Sequence, residues 1–208
     1  EQINLPNLTR VNGKNISFND FYMTSIDAES TTDMIHVDYK SNPVAVLTPI
    51  NVAFNGVITE NDLNRTVSSS NYQKKLKNIK LGSDLIRVSF LNPKVKLENN
   101  RIIINADVQI SGTPVVVPVE INSGLKISNN MIILSDVKLN SAGMGLGVSF
   151  PENVYTSLNP FLYSIKELKL TNQKLNLEDV SIEDNQIKIK GSLWLPKSTD
   201  RSTISNKS

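Results

Sequence analysis

The residues of this chain that could carry out chemistry are few and lack the spacing that catalysis needs. The single histidine, His36, lies in an alternating segment between Ile35 and Val37, and the chain contains no cysteine. A transition-metal site would therefore need carboxylates alone, and disulfides and thiolate catalysis are excluded. A Ser–His–Asp triad could be assembled only from scattered residues, because no G-x-S-x-G turn is present. We expect His36 to be an ordinary edge or surface histidine, and we predict no catalytic residue, no metal site and no cofactor.

Two further patterns resemble chemical sites but have simpler explanations. The carboxylate pairs Glu178–Asp179 and Glu183–Asp184 fall at the ends of a predicted hairpin, where solvated turn residues are common. The string Gly143-x-Gly145-x-Gly147 lacks the Lys-Ser/Thr pair of a phosphate-binding loop, and apolar side chains fill its gaps. It is either a kinked strand or loop, or an apolar flap at the mouth of a cavity.

A cluster of lysines lies in the last turns of the predicted helix described below. Its members are Lys74, Lys75, Lys77 and Lys80. Cations at a helix C-terminus offset the helix dipole, and this is the favoured explanation. The alternative is attraction of anionic lipid head groups, for which Lys74, Lys75 and Lys77 are the candidate contacts.

The overall composition excludes some classes of protein and leaves others open. Hydrophobic residues make up 39% and charged residues 20% of the 208-residue chain, as in ordinary soluble proteins. The 22 basic and 20 acidic residues give a net charge of +2, which argues against a nucleic-acid partner. The chain begins at Glu1 rather than Met, so we expect a signal or membrane anchor to have preceded it in the natural protein.

One stretch, residues 44–58, is predicted to form a single long strand. Its alternate residues are mostly apolar: Val44, Val46, Thr48, Ile50, Val52, Phe54, Gly56 and Ile58. Side chains on a strand alternate between two faces, so this stretch has one apolar face and one mixed face. It would span roughly 45–50 Å, which favours a long curved sheet over a compact sandwich.

Other alternating segments predict further strands joined by tight turns. Strands are expected around residues 16–23, 34–39 and 175–195, with a continuous antiparallel meander from residue 85 to 139. The turns are centred on Asn99–Asn100, Asn129–Asn130 and Asp184–Asn185. Asn and Asp suit tight hairpin turns because they tolerate a left-handed backbone.

One main helix is expected to begin at Thr59 and to end at Gly82. Asp62 stands three residues after Thr59, which is a weak form of the capping box. The apolar residues that follow recur at imperfect helical spacing: Leu63, Val67, Tyr72, Leu76 and Ile79. A second, short helix is expected within residues 151–165, interrupted by Pro160.

Together these elements predict a mostly β (α+β) fold, in which a long curved antiparallel sheet or elongated barrel wraps one or two short helices. Residues 1–197 are expected to form a single domain, and residues 198–208 a disordered polar tail. The strands are too numerous for the helices to cover. Their shared apolar face must therefore close on itself or hold a ligand, and acyl chains suit such a groove because they need only apolar area.

Two segments resemble motifs of the bacterial LmeA-like phospholipid-binding family. Ile58 to Asn64, I-T-E-N-D-L-N, is similar to the family's I/L-T-E-A-D-L-N after a strand, with Asn61 in place of alanine. Val180 to Gly191 is similar to its closing strand–turn–strand, with Asn185 where glycine is usual. The resemblance spans roughly residues 44–195. It implies a tubular, lipid-binding fold like that of the TULIP superfamily, located in the cell envelope, membrane-associated and without catalytic residues.

We therefore predict non-enzymatic binding, and also transfer, of phospholipid or a related lipid in an apolar groove at a bacterial cell envelope. The expected lining consists of inward apolar side chains: Val46, Ile50, Val52, Phe54, Leu63, Val67, Ile102, Ile104, Val108, Ile110, Val117 and Val119. The glycine-punctuated segment, residues 143–150, is expected to form a mobile apolar rim with its neighbours: Met144, Leu146, Phe150, Phe161, Leu162 and Trp194. The alternative for these rim residues is a plug that closes one end of the barrel.

Two other functions stay open at this stage. The first is a structural or interaction β-module with a solid core that binds a partner protein. Direct contact between the Ile50/Val52/Phe54 row and the Ile102/Ile104/Val108 row would favour it. An enzyme with a cleft around His36 comes third.

Overall fold

A computed structural model describes residues 2–6, 10–38, 40, 45–81, 86–141, 150–161 and 173–198. Strands make up 65% of it and form a strongly curled antiparallel half-barrel with a few short helices. The predicted mostly β, TULIP-like fold class is therefore confirmed.

The described strands form three antiparallel sheets. The meander sheet has the order β11-β10-β9-β8-β7 and contains β7 (Ile79–Lys80), β8 (Arg87–Glu98), β9 (Arg101–Ile110), β10 (Val116–Ser128) and β11 (Met131–Ser141). The composite sheet draws on both ends of the chain, in the order β12-β13-β6-β3-β2, with β2 (Arg10–Phe18), β3 (Phe21–Ser30), β6 (Ile50–Thr59), β12 (Lys174–Glu183) and β13 (Gln186–Leu195). The small sheet has the order β1-β4-β5, with β1 (Gln2–Pro6), β4 (Met34–Asp38) and β5 (Ala45–Val46).

The three predicted hairpin turns are confirmed, and a fourth joins β2 to β3. Each has two consecutive residues at positive φ: Asn99–Asn100, Asn129–Asn130, Asp184–Asn185 and Asn19–Asp20. Two left-handed residues in a row give the turn whose twist matches that of the flanking strands. The fourth turn corrects the prediction of one strand across residues 16–23, because the chain reverses at Asn19–Asp20 between β2 and β3.

The prediction of one strand across residues 44–58 is wrong. The chain leaves the small sheet after β5 and enters the composite sheet at β6, with Thr48 and Pro49 between them. The Thr48 hydroxyl accepts a hydrogen bond from the His36 backbone N–H at 3.2 Å, and Pro49 has no N–H to donate to a ladder. Strand pairing therefore stops here, and the apolar row is divided between two sheets.

The single predicted helix is also divided in two. The helices are α1 (Glu60–Val67) and α2 (Ser70–Lys75), and a third, α3 (Glu152–Leu158), lies where the short helix was expected. Ser69 has extended geometry and its hydroxyl accepts a hydrogen bond from the Tyr72 N–H, so it caps α2 as a new helix. The predicted end at Gly82 lies outside the described residues.

The start of α1 is fixed by a complete capping box. The Thr59 hydroxyl accepts from the Asp62 N–H, and the Asp62 carboxylate accepts from the Thr59 N–H at 3.0 Å. The same carboxylate oxygen accepts from the Thr24 hydroxyl of β3 at 2.5 Å. Asp62 therefore joins the helix start to the composite sheet.

The other polar residues of α1 bond to the meander sheet. The Asn64 side chain donates to the Val95 carbonyl at 2.8 Å and accepts from the Val95 N–H at 2.9 Å. Glu60 accepts from the Leu97 N–H at 3.0 Å. Along this stretch of β8 these two side chains take the place of a neighbouring strand, which covers an otherwise open sheet edge. Helix α1 thus links the two large sheets.

A second asparagine links the two sheets at another point. Asn130, at the tip of the β10–β11 hairpin, accepts from the Leu177 N–H of β12 at 2.6 Å and donates to the Leu175 carbonyl. Side-chain amides can imitate a peptide group in this way because they carry both a donor and an acceptor.

Acid is expected to weaken the start of α1 through Asp62. Burial alone would raise the pKa of this carboxyl, but hydrogen bonds from Thr24 and Thr59 and the charge of Arg65 outweigh it and lower the pKa. A carboxyl with a lowered folded-state pKa contributes stability that is complete above about pH 4 and is lost as the pH falls through the folded pKa. Asp62→Asn should therefore unfold more easily than wild type at neutral pH, with the difference shrinking below about pH 4. Urea unfolding across this range measures it, and a difference independent of pH would contradict the assignment.

Candidate functional site

The two large sheets and the helices enclose one continuous apolar core. Among the residues predicted to line a groove, a set drawn from α1, β9, β10 and the region of α3 is buried in it: Leu63, Val67, Ile102, Ile104, Val108, Val119, Phe150 and Phe161. Tyr72 of α2 is also buried there, and its hydroxyl donates to the Leu158 carbonyl at 2.5 Å. This part of the predicted lining is a packed interior in the structure.

The apolar face of the composite sheet is buried at one end of its strands and half-buried at the other end. At the end next to α1, Ile58 of β6 and its cross-strand partner Ile187 of β13 are both 0% exposed. Towards the other end of the same strands, the same face carries half-buried apolar side chains: Ile50, Val52, Phe54, Leu175, Leu193 and Leu195. We call these six residues the open apolar face.

Strand register places the six residues side by side. Val52 is paired with Leu193, which is paired in turn with Leu175, so the three lie in one row across β6, β13 and β12. Ile50 is paired with Leu195 in the next row. Phe54 lies opposite Gly191 and Ala28, and Ala28 lies opposite the exposed Val11 of β2. The apolar surface therefore continues across most of the sheet.

The core reaches only part of this face. Phe54 and Leu175 pack against the buried cluster that contains Ile102, Ile104 and Val108. Within the described residues, Ile50, Val52, Leu193 and Leu195 do not belong to that cluster or to the side chains packed against it. Of the Ile50/Val52/Phe54 row, Phe54 therefore packs against the core, and Ile50 and Val52 lie beyond it.

The remaining predicted lining residues are divided among several places. Val46 is half-buried in the small sheet, where its N–H donates to Ser198 at 2.7 Å, and Ile110 and Val117 are half-buried in the meander sheet. Trp194 is paired with Asn51 and so lies on the opposite face of the composite sheet from Leu193, with the Lys174 ammonium 5.5 Å from its ring centroid.

The residues predicted for the rim are only partly described. Met144, Leu146 and Leu162 lie outside the described residues. Phe150 is buried and makes edge contacts with Phe90 and Tyr155 at centroid separations of 5.7 and 6.3 Å. Phe161 is buried as well, so these two phenylalanines fit the plug alternative, and the rim of the remaining segment stays a prediction.

Two grooves lie near the β8 bulge at Asn92, and most of the residues that line them are polar or charged. Their volumes are about 880 and 520 Å³, and their shared lining includes Asn92 and Lys94. Polar side chains in the larger groove bond to one another, with Asn92 donating to Asp107 at 3.2 Å and Asn140 donating to Glu120 at 3.1 Å. Burying these polar side chains under an acyl chain would cost free energy, whereas the open apolar face is formed by apolar side chains alone, and we take that face as the candidate site.

Sequence patterns did not single out Leu175, Leu193 and Leu195 as part of the site. All three were visible as alternating residues of the final hairpin, but their place beside Val52 depends on the pairing of β13 with β6. These strands are far apart in sequence, and nothing local to either strand specifies that they pair.

The remaining candidates for chemistry are unremarkable where the structure describes them. His36 lies on β4 between the buried Ile35 and Val37, as the alternation predicts. No group of three or more His, Cys, Asp or Glu residues in the described part of the chain could hold a metal ion.

The lysines proposed for head-group contact, Lys74, Lys75 and Lys77, are exposed. None of the described helices has the length and apolarity required to cross a membrane.

Comparison with known proteins gives a family match that covers most of the chain. Residues 9–192 match the model of a family described as LmeA-like phospholipid-binding. No curated protein and no solved structure matches the chain.

Proposed function

This chain belongs to the LmeA-like phospholipid-binding family, and we propose that it binds phospholipid acyl chains on the open apolar face without catalysing a reaction. The proposed setting is the membrane-associated side of a bacterial cell envelope, where the protein carries phospholipid between membranes. The observation that supports this most directly is the change in burial along β6 and β13, from Ile58 and Ile187 at 0% to half-buried Val52 and Leu193.

The chemistry of this face suits an acyl chain. Its side chains are branched aliphatics and one phenylalanine, so it offers apolar area and no side-chain hydrogen-bonding group. Each methylene removed from water contributes about 0.8 kcal/mol. About ten methylenes would contribute about 8 kcal/mol before the cost of ordering the chain is subtracted, which is ample for binding.

The test compares two variants that each add one carboxylate to β6, on opposite faces of the strand. In Val52→Asp the charge lies among the acyl chains, where it would be buried without a partner, whereas in Asn51→Asp it lies on the exposed opposite face. Phospholipid that copurifies with each protein is extracted and quantified by mass spectrometry. We expect wild type and Asn51→Asp to carry similar amounts and Val52→Asp to carry at least tenfold less.

A melting curve separates loss of binding from loss of fold. Val52 is half-buried, so Val52→Asp should cost only about 1 kcal/mol and leave the circular dichroism spectrum unchanged. Equal lipid content in the folded Val52→Asp and Asn51→Asp proteins would contradict the proposed site.

A second candidate function uses the same face differently. The packed core favours a β-module that covers its open apolar face with a partner protein. This candidate predicts that wild type carries no phospholipid after purification and takes up none from vesicles. Lipid extraction from wild type alone therefore distinguishes the two functions.

Phospholipid transfer and the cellular location of the protein are measured in separate experiments. Transfer predicts that the protein moves fluorescent phospholipid from donor to acceptor vesicles at a rate proportional to protein concentration. An envelope location predicts recovery of the protein with cell-envelope fractions rather than with the cytosol.

A further inference from the structure

Two connections between neighbouring strands meet at one end of the meander sheet. Between β7 and β8, the Leu81 N–H donates to the Ile86 carbonyl at 2.9 Å. The β9–β10 connection is joined to β8 by a hydrogen bond from the Ser111 N–H to the Arg87 carbonyl, also at 2.9 Å. The pairing of Val88 with Ile110 continues this contact into the sheet.

Three large apolar side chains at this end of the sheet are exposed to solvent. Ile86 is 49% exposed, Val115 is 47% exposed and Val116 is 48% exposed. Residues 111–116 are exposed throughout and contain no acidic side chain. An exposed apolar cluster of this kind is typical of a surface that meets another apolar phase. We call Ile86, Val115 and Val116 the apolar tip.

The apolar tip is continuous with the inward face of the meander sheet. Val115 begins the alternating row that continues through Val117 to Val119 on β10. Exposure falls along this row, from the exposed Val115 through the half-buried Val117 to the buried Val119. The tip is therefore the exposed end of an apolar row that leads into the core.

Cations surround the apolar tip. Arg87 is exposed directly beside Ile86, and Lys80, paired with Arg87 across β7 and β8, is exposed as well. Lys77 is exposed just before β7. Among the described residues, the carboxylate of Glu152 on α3 is near them, since the next residue, Asn153, donates to the Lys80 carbonyl at 2.8 Å. The described charges around the tip are therefore positive on balance.

We propose that the apolar tip docks on the surface of an anionic phospholipid bilayer, with Val115 and Val116 inserted among the acyl chains and Arg87 against the head groups. This rests on the proposed function, because docking brings a lipid-binding protein to the membrane that supplies its ligand. Exposed apolar side chains flanked by cations complement an anionic bilayer in both hydrophobicity and charge.

The test compares the double variant Val115→Asp/Val116→Asp with Met34→Asp. Met34 is 48% exposed on β4 of the small sheet, so the control adds a carboxylate at an equally exposed apolar position away from the tip. Binding is measured by flotation with phosphatidylcholine vesicles that contain phosphatidylglycerol. We expect the double variant to bind at least tenfold more weakly than wild type, and Met34→Asp to bind like wild type.

Charge is tested separately with Arg87→Gln. Loss of one cation near an anionic surface should weaken binding about fivefold, which corresponds to about 1 kcal/mol. The loss should disappear on vesicles of phosphatidylcholine alone and should shrink as salt is added.

Lipid loading from detergent micelles distinguishes failure of this proposal from failure of the proposed function. The double variant should load phospholipid from micelles as wild type does, because its open apolar face is intact. Equal vesicle binding by wild type and the double variant would overturn the proposal that the apolar tip docks on the bilayer, whatever the loading result. Absence of phospholipid loading in wild type would overturn the proposed function instead.

Discussion

Asn64→Ala is expected to lower the free energy of unfolding by about 2–3 kcal/mol. The Asn64 side chain donates to the Val95 and Glu60 carbonyls and accepts from the Val95 N–H, at 2.8 to 2.9 Å. Val95 is 1% exposed, so water cannot readily replace these bonds, and an unpaired buried backbone group costs about 1–3 kcal/mol. Urea or thermal unfolding measures the difference.

Asn61→Ala is the matched control on the same helix. Asn61 is exposed, so its replacement leaves the sheets untouched and should stabilise the protein by about 0.5 kcal/mol through helix propensity. The same propensity gain applies at position 64, so the difference between the two variants isolates the bonds to β8. Equal unfolding midpoints would show that Asn64 does not hold the sheet edge.

This pair of variants bears on the meaning of the T-E-N-D-L-N segment. Glu60 and Asn64 bond to β8, Asp62 bonds to β3, and Leu63 is buried in the core. The residues that carry the family resemblance therefore hold the half-barrel together. Position 61, where this chain departs from the family's alanine, is exposed and bonds to neither sheet.

Three of the four hairpin turns and the capping box could be predicted because their signals are local. Asn and Asp occupy every positive-φ position described outside glycine, including the β-bulges at Asn92 and Asp136. The second departure from the family pattern has the same explanation. Asn185 replaces glycine at φ 57°, a conformation that both residues accept.

The long strand and the single helix were wrongly predicted because the hydrophobic pattern continues across a residue that ends the element. Alternation across residues 44–58 continued through Pro49, and the missing N–H of that residue was the available sign of a break. Likewise, the uneven spacing between Val67 and Tyr72 reflected a new helix start at Ser69. At Pro49 a missing N–H outweighed the hydrophobic pattern, and at Ser69 a capping hydroxyl did so.

The candidate site could be predicted only in part, because burial depends on distant elements. Ile58 and Val52 belong to the same alternating row and have similar chemistry, yet one is fully buried and the other half-buried. The difference arises because the core, closed in part by α1, covers the Ile58 end of the composite sheet. The sequence shows the apolar row, but it does not show which part of that row the core will bury.

Gly191→Ala is the other substitution with a large expected effect, about 3 kcal/mol of destabilisation. A Cβ at this position would lie 2.4 Å from the Asn176 carbonyl oxygen and 2.7 Å from the Phe54 ring. The carbonyl belongs to the backbone of β12 and cannot rotate away, so β12 and β13 would have to separate. This glycine therefore allows β12 and Phe54 to approach β13 closely, which forms one side of the open apolar face.

Gly56→Ala on the neighbouring strand is the control. There a Cβ would lie 3.3 Å from the terminal atoms of Met23, a flexible side chain that can move, so the expected change is within about 1 kcal/mol. Adding Phe54→Leu to Gly191→Ala removes the ring contact but leaves the carbonyl contact. Thermal unfolding of the single and double variants measures the coupling between the two positions. We expect the double variant to stay well below wild type, because the fixed carbonyl dominates, and a double variant as stable as Phe54→Leu alone would show that the ring was the real obstacle.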